Sequence, residues 1–491
     1  MRLCLRPLAL ALALPATLAA QGYRVRLDAR AQAVSYRGVQ EDSVLASTVV
    51  TGAGGGLYTP DGFAVDCSAG TWCHFYRPGP ERRGVPVSTT ASVVAWGFGV
   101  QGLTLHALGR IVADAGDADV WPGSDPTVQL LEGYLEYARR RFTGRAGRLL
   151  VNSRLEPLGV DGAWARYRLP SLDLDFTAYG GWGLGQAAAV PVTSPVLNPL
   201  DEWRPGSRQL AAGAEVAWAP GPAEVRAEYR REVDPETDYF VSERAALSVT
   251  ARPWRALRVV AGADYNLAEG NLGSADLTAS WIDPRWSVTV GGRRYRPFFN
   301  LWTLWGAFSP VPYNALNAST QVRVTDWLTL RGRGERFWYD DAEASTPLVD
   351  VEDRGWRASV GASATPTSRL ALDLSWLGEF GPGAASRFVD ASVSYSLSSR
   401  LNLSVYGGSL ARPLELRYYD AEANWIGGRA EWRTAGQWRI WADASWFDEK
   451  RKRPDAAGSS LDQFRLRSGI SLAFGTNADR PPLPPARRRV P

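Results

Sequence analysis

Few side chains in this 491-residue chain could perform acid–base, nucleophilic or metal chemistry. Histidine occurs twice, as His74 and His106, and cysteine three times, as Cys4, Cys67 and Cys73. A zinc site needs three or four nitrogen, sulfur or carboxylate ligands, and a hydroxyl or thiol nucleophile needs a base beside it. Neither histidine adjoins a serine-bearing catalytic motif. The sequence therefore predicts no catalytic residue, no metal and no cofactor, and indicates a protein that is not an enzyme.

A glycine motif has the spacing of a dinucleotide-binding loop, with Gly97, Gly99 and Gly102 in G-x-G-x-x-G. That chemistry requires a helix after the glycines, so that the helix N-terminus can bind phosphate. The segment 103–110, LTLHALGR, instead alternates between apolar and polar residues like a strand. We interpret the motif as a turn, and His106 as a satisfied polar residue or one that lines a pore.

The first residues predict export from the cytoplasm. Two arginines precede the apolar run Leu8–Leu14, and small residues follow up to Ala20, which is typical of a secretory signal peptide. We expect residues 1–20 to be removed near Ala20. No later apolar run approaches the ~18 residues of a spanning helix. In an oxidising compartment, Cys67 and Cys73 are expected to form a disulfide that closes a small surface loop.

Composition excludes some classes of function. The formal net charge is only +4, and the charged residues are interspersed along the chain, whereas nucleic-acid-binding proteins concentrate basic residues on one face. The 49 glycines, 21 tryptophans and 18 tyrosines are typical of strands, turns and aromatic belts. We therefore do not expect nucleic-acid binding, and we do expect an all-β chain.

Strand alternation dominates the sequence from about residue 90 to residue 474. In 388–408, FVDASVSYSLSSRLNLSVYGG, two alternating runs flank a tight turn. The same unit recurs, with short turns and longer connectors taking turns along the chain. This pattern predicts an all-β fold, a single transmembrane up-and-down antiparallel β-barrel of about 22 strands, within a range of 18–22. We expect it to span residues 21–475, with extracellular loops, and to be followed by a Pro/Arg-rich periplasmic tail at 476–491.

Strand length and aromatic placement favour a membrane barrel over a soluble sandwich. The runs are about 9–13 residues long, as tilted membrane strands require. Aromatic residues cluster beside acidic loops at 336–341, 417–422 and 445–450, like the girdles where strands leave lipid. We therefore expect the bacterial (Gram-negative) outer membrane, with its lipid and lipopolysaccharide as partners. Barrel assembly machinery is expected during biogenesis.

Two segments resemble known outer-membrane barrels. The strand Phe464–Phe474 resembles the terminal strand of outer-membrane β-barrel proteins, although the chain here continues beyond it. The segment Gly144–Trp182 is similar to part of the alginate-export and porin-like barrels, with Gly147–Arg148 and Val160–Gly162 at the places of pore-lining motifs. Leu149 and Val160 depart from the residues usual there. The resemblance implies a pore.

A barrel of this size is too wide for its wall side chains to fill. Two apolar connectors are candidates to narrow the lumen: Arg296–Asn314, which we expect to fold into the barrel or to lie in the membrane interface, and Gly183–Trp203. The strand pattern begins at Tyr23, which disfavours a plug domain and hence a TonB-dependent transporter. Alternation selects these pore-lining candidates: Glu132, Glu136, Arg140, Arg148, Asn152, Arg166, Arg168, Asp173, Asp175, Glu224, Arg226, Glu228, Arg230, Arg331, Arg333 and Glu335.

The mixture of signs among these residues predicts a porin-like channel for passive diffusion of small polar solutes. Two alternatives stay open. One is a partner-dependent barrel, either a polysaccharide export port or a sheath around an electron-transfer conduit. The other is a structural or adhesive barrel whose lumen is filled by its own loops. A homotrimer or a periplasmic partner is possible by analogy with porins.

Overall fold

The structure is a computed structural model that describes residues 22–476 with internal gaps at 53–55, 68–69, 117–127, 185–208, 234–239, 297–311, 341–353, 382–383, 416–418, 435–436 and 454–460. The predicted signal peptide, most of the two apolar connectors and residues 477–491 of the predicted tail lie outside the described residues. No helix in the described part is long and apolar enough to cross a membrane.

The described chain is built almost entirely from strands. In chain order they are β1 (Gly22–Leu45), β2 (Val50–Thr51), β3 (Leu57–Tyr58), β4 (Trp72–Gly84), β5 (Pro86–Trp96), β6 (Leu103–Asp114), β7 (Val128–Ala138), β8 (Phe142–Val151), β9 (Leu158–Leu169), β10 (Leu174–Gly183), β11 (Leu210–Trp218), β12 (Ala223–Val233), β13 (Phe240–Ala251), β14 (Leu257–Asn266), β15 (Asn271–Ile282), β16 (Trp286–Tyr295), β17 (Tyr313–Arg323), β18 (Leu328–Tyr339), β19 (Arg354–Thr367), β20 (Leu370–Gly381), β21 (Ala384–Ser396), β22 (Leu401–Glu415), β23 (Tyr419–Arg433), β24 (Trp438–Arg453) and β25 (Leu461–Gly475).

These strands close into one antiparallel barrel. From β5 to β25 each strand pairs with its neighbours in sequence, and β1 pairs with β5 on one side and β25 on the other. The barrel therefore has 22 strands, β1 and β5–β25. This confirms the fold predicted from the alternation. Full closure leaves no unpaired strand edge in the membrane, which is what a lipid environment demands.

The two rims of the barrel differ. Turns of two to six residues, such as Pro170–Asp173 and Asp283–Arg285, join strands at one rim, and all connections longer than six residues lie at the other. The first and last described residues meet at the short-turn rim, where the Tyr23 backbone N–H donates to the Thr476 hydroxyl at 3.0 Å. The three motif glycines lie in the β5–β6 turn with φ between 76° and 86°, which accounts for glycine there. In outer-membrane barrels the short-turn rim faces the periplasm.

The outer face of the wall is a band of exposed aliphatic side chains, including Leu277, Val360 and Ile426. Tryptophans flank the band at the short-turn rim: Trp218, Trp281, Trp286, Trp327, Trp432 and Trp438. A second aromatic girdle lies toward the other rim: Trp182, Tyr265, Trp356, Trp446 and Phe464. An apolar band between two aromatic girdles matches a lipid bilayer. The protein is an outer-membrane β-barrel.

One hairpin extends beyond the barrel at the long-connection rim. Pairing of β1 with β25 ends at Ala33, but β1 continues to Leu45 against β4, a length of roughly 40 Å for about twelve residues. At its tip a disulfide joins Cys67 and Cys73, whose Cα atoms are 4.3 Å apart. The Phe63 and Phe75 rings stack beneath it. The sequence predicted the disulfide loop but not the projecting hairpin.

Candidate functional site in the barrel lumen

The inner face of the wall is charged. On β12 the side chains of Glu224, Arg226, Glu228, Arg230 and Glu232 share the face opposite the exposed Tyr229. Their partners lie on the same face, since Arg226 contacts Glu224 at 2.7 Å and Arg230 lies 3.1 Å from Glu232. The alternation in the sequence predicts this face, because the five charged residues recur at every second position, although Arg231 places one charge on the other face.

The β8–β9 connection, Asn152–Pro157, folds into the lumen; we call it the inward turn. Leu155 at its centre is only 1% exposed. Its backbone carbonyl accepts hydrogen bonds from the guanidinium groups of Arg230 and Arg244. Glu156 adopts a φ of 77°, which is a conformation that costs a non-glycine residue energy. The contacts with two buried arginines hold the turn in this shape.

Arg154 ties the inward turn to the wall at a second place. Its backbone N–H donates to Glu228 at 2.9 Å, and its guanidinium bonds to Ser274 and Asp276 on β15. A Cβ atom built on Gly262 of β14 would lie 2.3 Å from the Arg154 guanidinium. Glycine at position 262 thus makes room for the arginine. The turn starts at β8 and reaches β15, so it crosses one side of the lumen.

A small apolar cluster supports the base of the inward turn. Leu149, Val151, Val160 and Ala211 are buried together, and the rings of Tyr134, Trp164 and Tyr179 pack around them. These side chains occupy the inner face of β7–β11 and exclude water from it. The cluster fixes both strands that carry the turn.

A second lumenal group surrounds Glu335 on β18, whose side chain is 1% exposed. Its carboxylate lies 2.9 Å from both Arg293 and Arg357, and 3.6 Å from Arg333. Arg357 also pairs with Glu379 at 2.7 Å. Three cations and two carboxylates give this group, which we call the Glu335 cluster, a formal charge of +1.

Two further groups pair charge with aromatic rings. The Asp443 carboxylate is buried and accepts hydrogen bonds from Tyr406 at 2.8 Å and from Arg467 at 2.9 Å. On β7 and β8, five and six strands around the wall from β24, Arg145 pairs with Glu136 at 2.7 Å and lies over the Trp164 ring. Beside it the rings of His106 and Tyr134 stack 4.7 Å apart, so His106 faces the lumen as part of this group.

The structure places most of the predicted residues on one face. These twelve lie on the inner face of barrel strands: Glu132, Glu136, Arg166, Arg168, Asp175, Glu224, Arg226, Glu228, Arg230, Arg331, Arg333 and Glu335. Arg140 and Asp173 lie in short turns, and Asn152 begins the inward turn. Their role in lining an open pore stays a prediction.

Arg148 differs from its predicted position. It lies opposite Gly133 and Asp161 in the register and bonds the Asp161 carboxylate at 2.8 and 3.0 Å. Its chain neighbour Leu149 is the residue that packs inward, so Arg148 and Asp161 face outward. The prediction failed because Leu149, Leu150 and Val151 are all apolar, so the sequence alone does not show which of them face the lumen.

Sequence reasoning missed several residues of the site: Arg145, Arg154, Glu156, Arg244, Asp264, Asp276, Arg293, Arg357, Glu379, Asp443 and Arg467. Those on strands carry the same alternation signal as the residues that were selected. Arg154 and Glu156 carry none, because a short connector has no periodicity. Within the described residues no group of three or more potential metal ligands occurs.

Comparison with solved structures identifies the fold. The siderophore receptor PirA from Pseudomonas aeruginosa aligns with a TM-score of 0.51 at 10% identity, over 92% of this chain and 80% of its own. A mutant of the ferric enterobactin receptor PfeA from the same organism gives 0.55 at 9% identity, over 92% and 81%. A BenF-like porin from Pseudomonas fluorescens gives 0.42 at 10%, over 92% and 99%. No protein-family model matches the sequence, and no curated protein matches it. What this chain shares with the two receptor structures is the fold, a large outer-membrane barrel.

Proposed function

We propose that this protein is a channel for passive diffusion of small polar solutes across the outer membrane. The observation that carries the proposal is the charged inner wall of a lumen that the inward turn crosses on one side only. Guanidinium and carboxylate groups pair across strands along that wall, from Arg168–Asp175 to Arg331–Asp373. Such a surface is solvated readily and offers hydrogen bonds to a passing polar molecule.

Barrel size supports this proposal. With strands ~4.8 Å apart and tilted by ~40°, 22 strands enclose a backbone diameter of roughly 44 Å. Wall side chains occupy roughly 5 Å on each side, since packed sheets lie ~10 Å apart. A lumen of this width holds water or inserted chain. The inward turn is one such inserted segment, and it is anchored by the contacts of Arg154 and Leu155.

The charge of the wall favours solutes without a strong net charge. Each of the cations Arg145, Arg168, Arg226 and Arg331 has a carboxylate partner at 3.4 Å or less. Paired charges largely cancel at the distance of a passing ion. The Glu335 cluster is an exception, with one excess cation, so we expect a weak preference for anions over cations.

Liposome swelling tests the proposal directly. Folded protein reconstituted into liposomes should admit neutral sugars, with rates that fall as sugar size rises. A variant in which Ser153–Glu156 is replaced by two glycines should admit the larger sugars faster, because the lumen is no longer crossed. The matched control shortens Leu267–Gly270, an exposed connection at the same rim, and should leave the rates unchanged.

The controls separate a closed barrel from an unfolded one. Heat-modifiable migration in gel electrophoresis reports whether each variant is folded before the assay. If the wild-type protein is folded and liposomes containing it admit no sugar, the proposed channel is wrong. If both shortened variants accelerate uptake equally, the inward turn is not what restricts the lumen.

A further inference from the structure

Several arginines lie on the outer face of the barrel rather than in the lumen. Arg231, Arg294 and Arg336 each stand eight residues after the first residue of their strands, β12, β16 and β18. At ~3.4 Å per residue and a tilt of ~40°, this places them roughly 20 Å above the short-turn rim. Arg354 and Arg387 lie near the first residues of β19 and β21, which begin at the long-connection rim. All five therefore lie near the upper edge of the apolar band.

Their outward direction follows from the register and from their strand neighbours. Glu335 and Phe337 flank Arg336 and are buried in the lumen, so Arg336 points to the outside. Arg387 pairs with Gly378 in the register, and its guanidinium lies over the outward Phe380 ring at 5.6 Å. These arginines cannot contribute to solute selection, because the wall separates them from the lumen.

The outward arginines differ in their partners. Arg294 pairs with Asp340 at 2.6 Å, as Arg148 does with Asp161. For Arg336 and Arg387, no carboxylate of the described chain lies within ion-pair distance. An arginine on the lipid face costs about 2–4 kcal/mol at the midplane and about 0–1 near the interface. Because Arg336 and Arg387 lie near the membrane interface, the free-energy cost of their charge is low, and an anion bound from outside would offset the rest of it.

Aromatic rings connect these two arginines. Trp356 of β19 lies opposite Arg336 in the register, and its ring is 4.6 Å from that of Phe380. The Arg387 guanidinium lies over the same Phe380 ring. The arginines are three strands apart, or roughly 15 Å. We call Arg336, Trp356, Phe380 and Arg387 the arginine–aromatic patch.

We propose that the arginine–aromatic patch binds the phosphate groups of lipopolysaccharide. Guanidinium groups bind phosphate through paired N–H donors and carry a fixed charge. The patch lies at the long-connection rim, which is the outer rim in outer-membrane barrels, and lipopolysaccharide is the anionic lipid of that leaflet. Aromatic rings suit the boundary between acyl chains and head groups. The two arginines are spaced to contact two phosphates of one head group or of adjacent molecules.

Native mass spectrometry of detergent-purified, folded protein tests this with deep-rough lipopolysaccharide as the probe. The double variant R336Q/R387Q should bind it at least about tenfold more weakly, since a charged hydrogen bond contributes about 1.5–3 kcal/mol. The matched control R331Q/R333Q removes two arginines from the inner face of the same region and should keep the wild-type affinity. If the double variant does not fold, the single variants R336Q and R387Q should each show a smaller loss.

Two companion probes identify the ligand. Dephosphorylated lipopolysaccharide should bind wild-type protein as weakly as the intact lipid binds the double variant. Phosphatidylglycerol should compete poorly. Equal affinity of the double variant and the wild type would overturn the proposal, and so would equal binding of the intact and dephosphorylated lipids. Equal binding of phosphatidylglycerol would show a site for any anionic lipid, and would overturn the assignment to lipopolysaccharide.

Discussion

Replacing Glu335 with glutamine should shift the channel toward anions. The carboxylate is 1% exposed and balances part of the charge of Arg293, Arg333 and Arg357. Glutamine keeps the side-chain shape and removes one negative charge. The formal charge of the Glu335 cluster then rises from +1 to +2, because Glu379 alone remains to offset the three arginines.

The size of the shift follows from distance and screening. For an ion passing about 10 Å away in water, one unit charge contributes about 0.4 kcal/mol. At about 0.01 M salt, where the Debye length is ~30 Å, about 0.3 kcal/mol remains. The free energy of a passing cation rises by this amount and that of a passing anion falls by it. The permeability ratio of anions to cations should therefore rise about threefold. At 1 M salt, with a Debye length of ~3 Å, the effect should disappear.

Reversal potentials in a dilute KCl gradient measure this ratio in a planar bilayer. The matched control is Glu41→Gln, which removes the same charge on the projecting hairpin, beyond the barrel wall. It should leave the reversal potential unchanged. If E335Q and wild type have equal reversal potentials at low salt while both conduct, the placement of this cluster on the ion path is wrong. A shift toward cations would refute the electrostatic reasoning itself.

Three further predictions concern stability and orientation. Asp443→Asn should lower the free energy of unfolding by about 1.5–3 kcal/mol, because the buried carboxylate loses its charge-assisted hydrogen bonds from Tyr406 and Arg467; urea unfolding in liposomes measures this, and an unchanged midpoint would contradict it. Leu374→Arg should cost about 2–4 kcal/mol because Leu374 faces lipid, whereas Ser375→Arg, on the lumenal face, should cost less; equal costs would invalidate the assignment of faces. Cys67→Ser should speed chymotrypsin cleavage at the hairpin tip without changing barrel heat-modifiability; unchanged cleavage would mean that the disulfide does not order the tip.

The sequence predicts the barrel well because lipid imposes one repeated rule. Spanning strands turn mainly apolar residues outward, so a two-residue period recurs along the barrel, as in β12, where the outward arginine Arg231 lies near the rim. The sheet must then close into a barrel, because unpaired backbone groups at an open sheet edge are not tolerated in lipid. Strand number and the contrast between rims are therefore readable from period and connector length.

The contacts within the lumen could not be predicted in this way. Alternation assigns a face to a residue but not its height or its partner, and Arg154 meets Asp276 at a separation of 122 residues. The same rule failed for Arg148, because three consecutive apolar residues follow it. The hairpin beyond the rim could not be predicted either, because the alternation in β1 continues past Ala33, where its pairing with β25 ends.

Single-channel recording tests the central claim most directly. Purified, folded protein is added to a planar lipid bilayer in KCl, and current is recorded at constant voltage. The account predicts uniform, long-lived conductance steps, which become larger when Ser153–Glu156 is shortened to two glycines. Folded protein that inserts into the bilayer and carries no current, with or without the inward turn, would contradict the account of an open, charge-lined lumen.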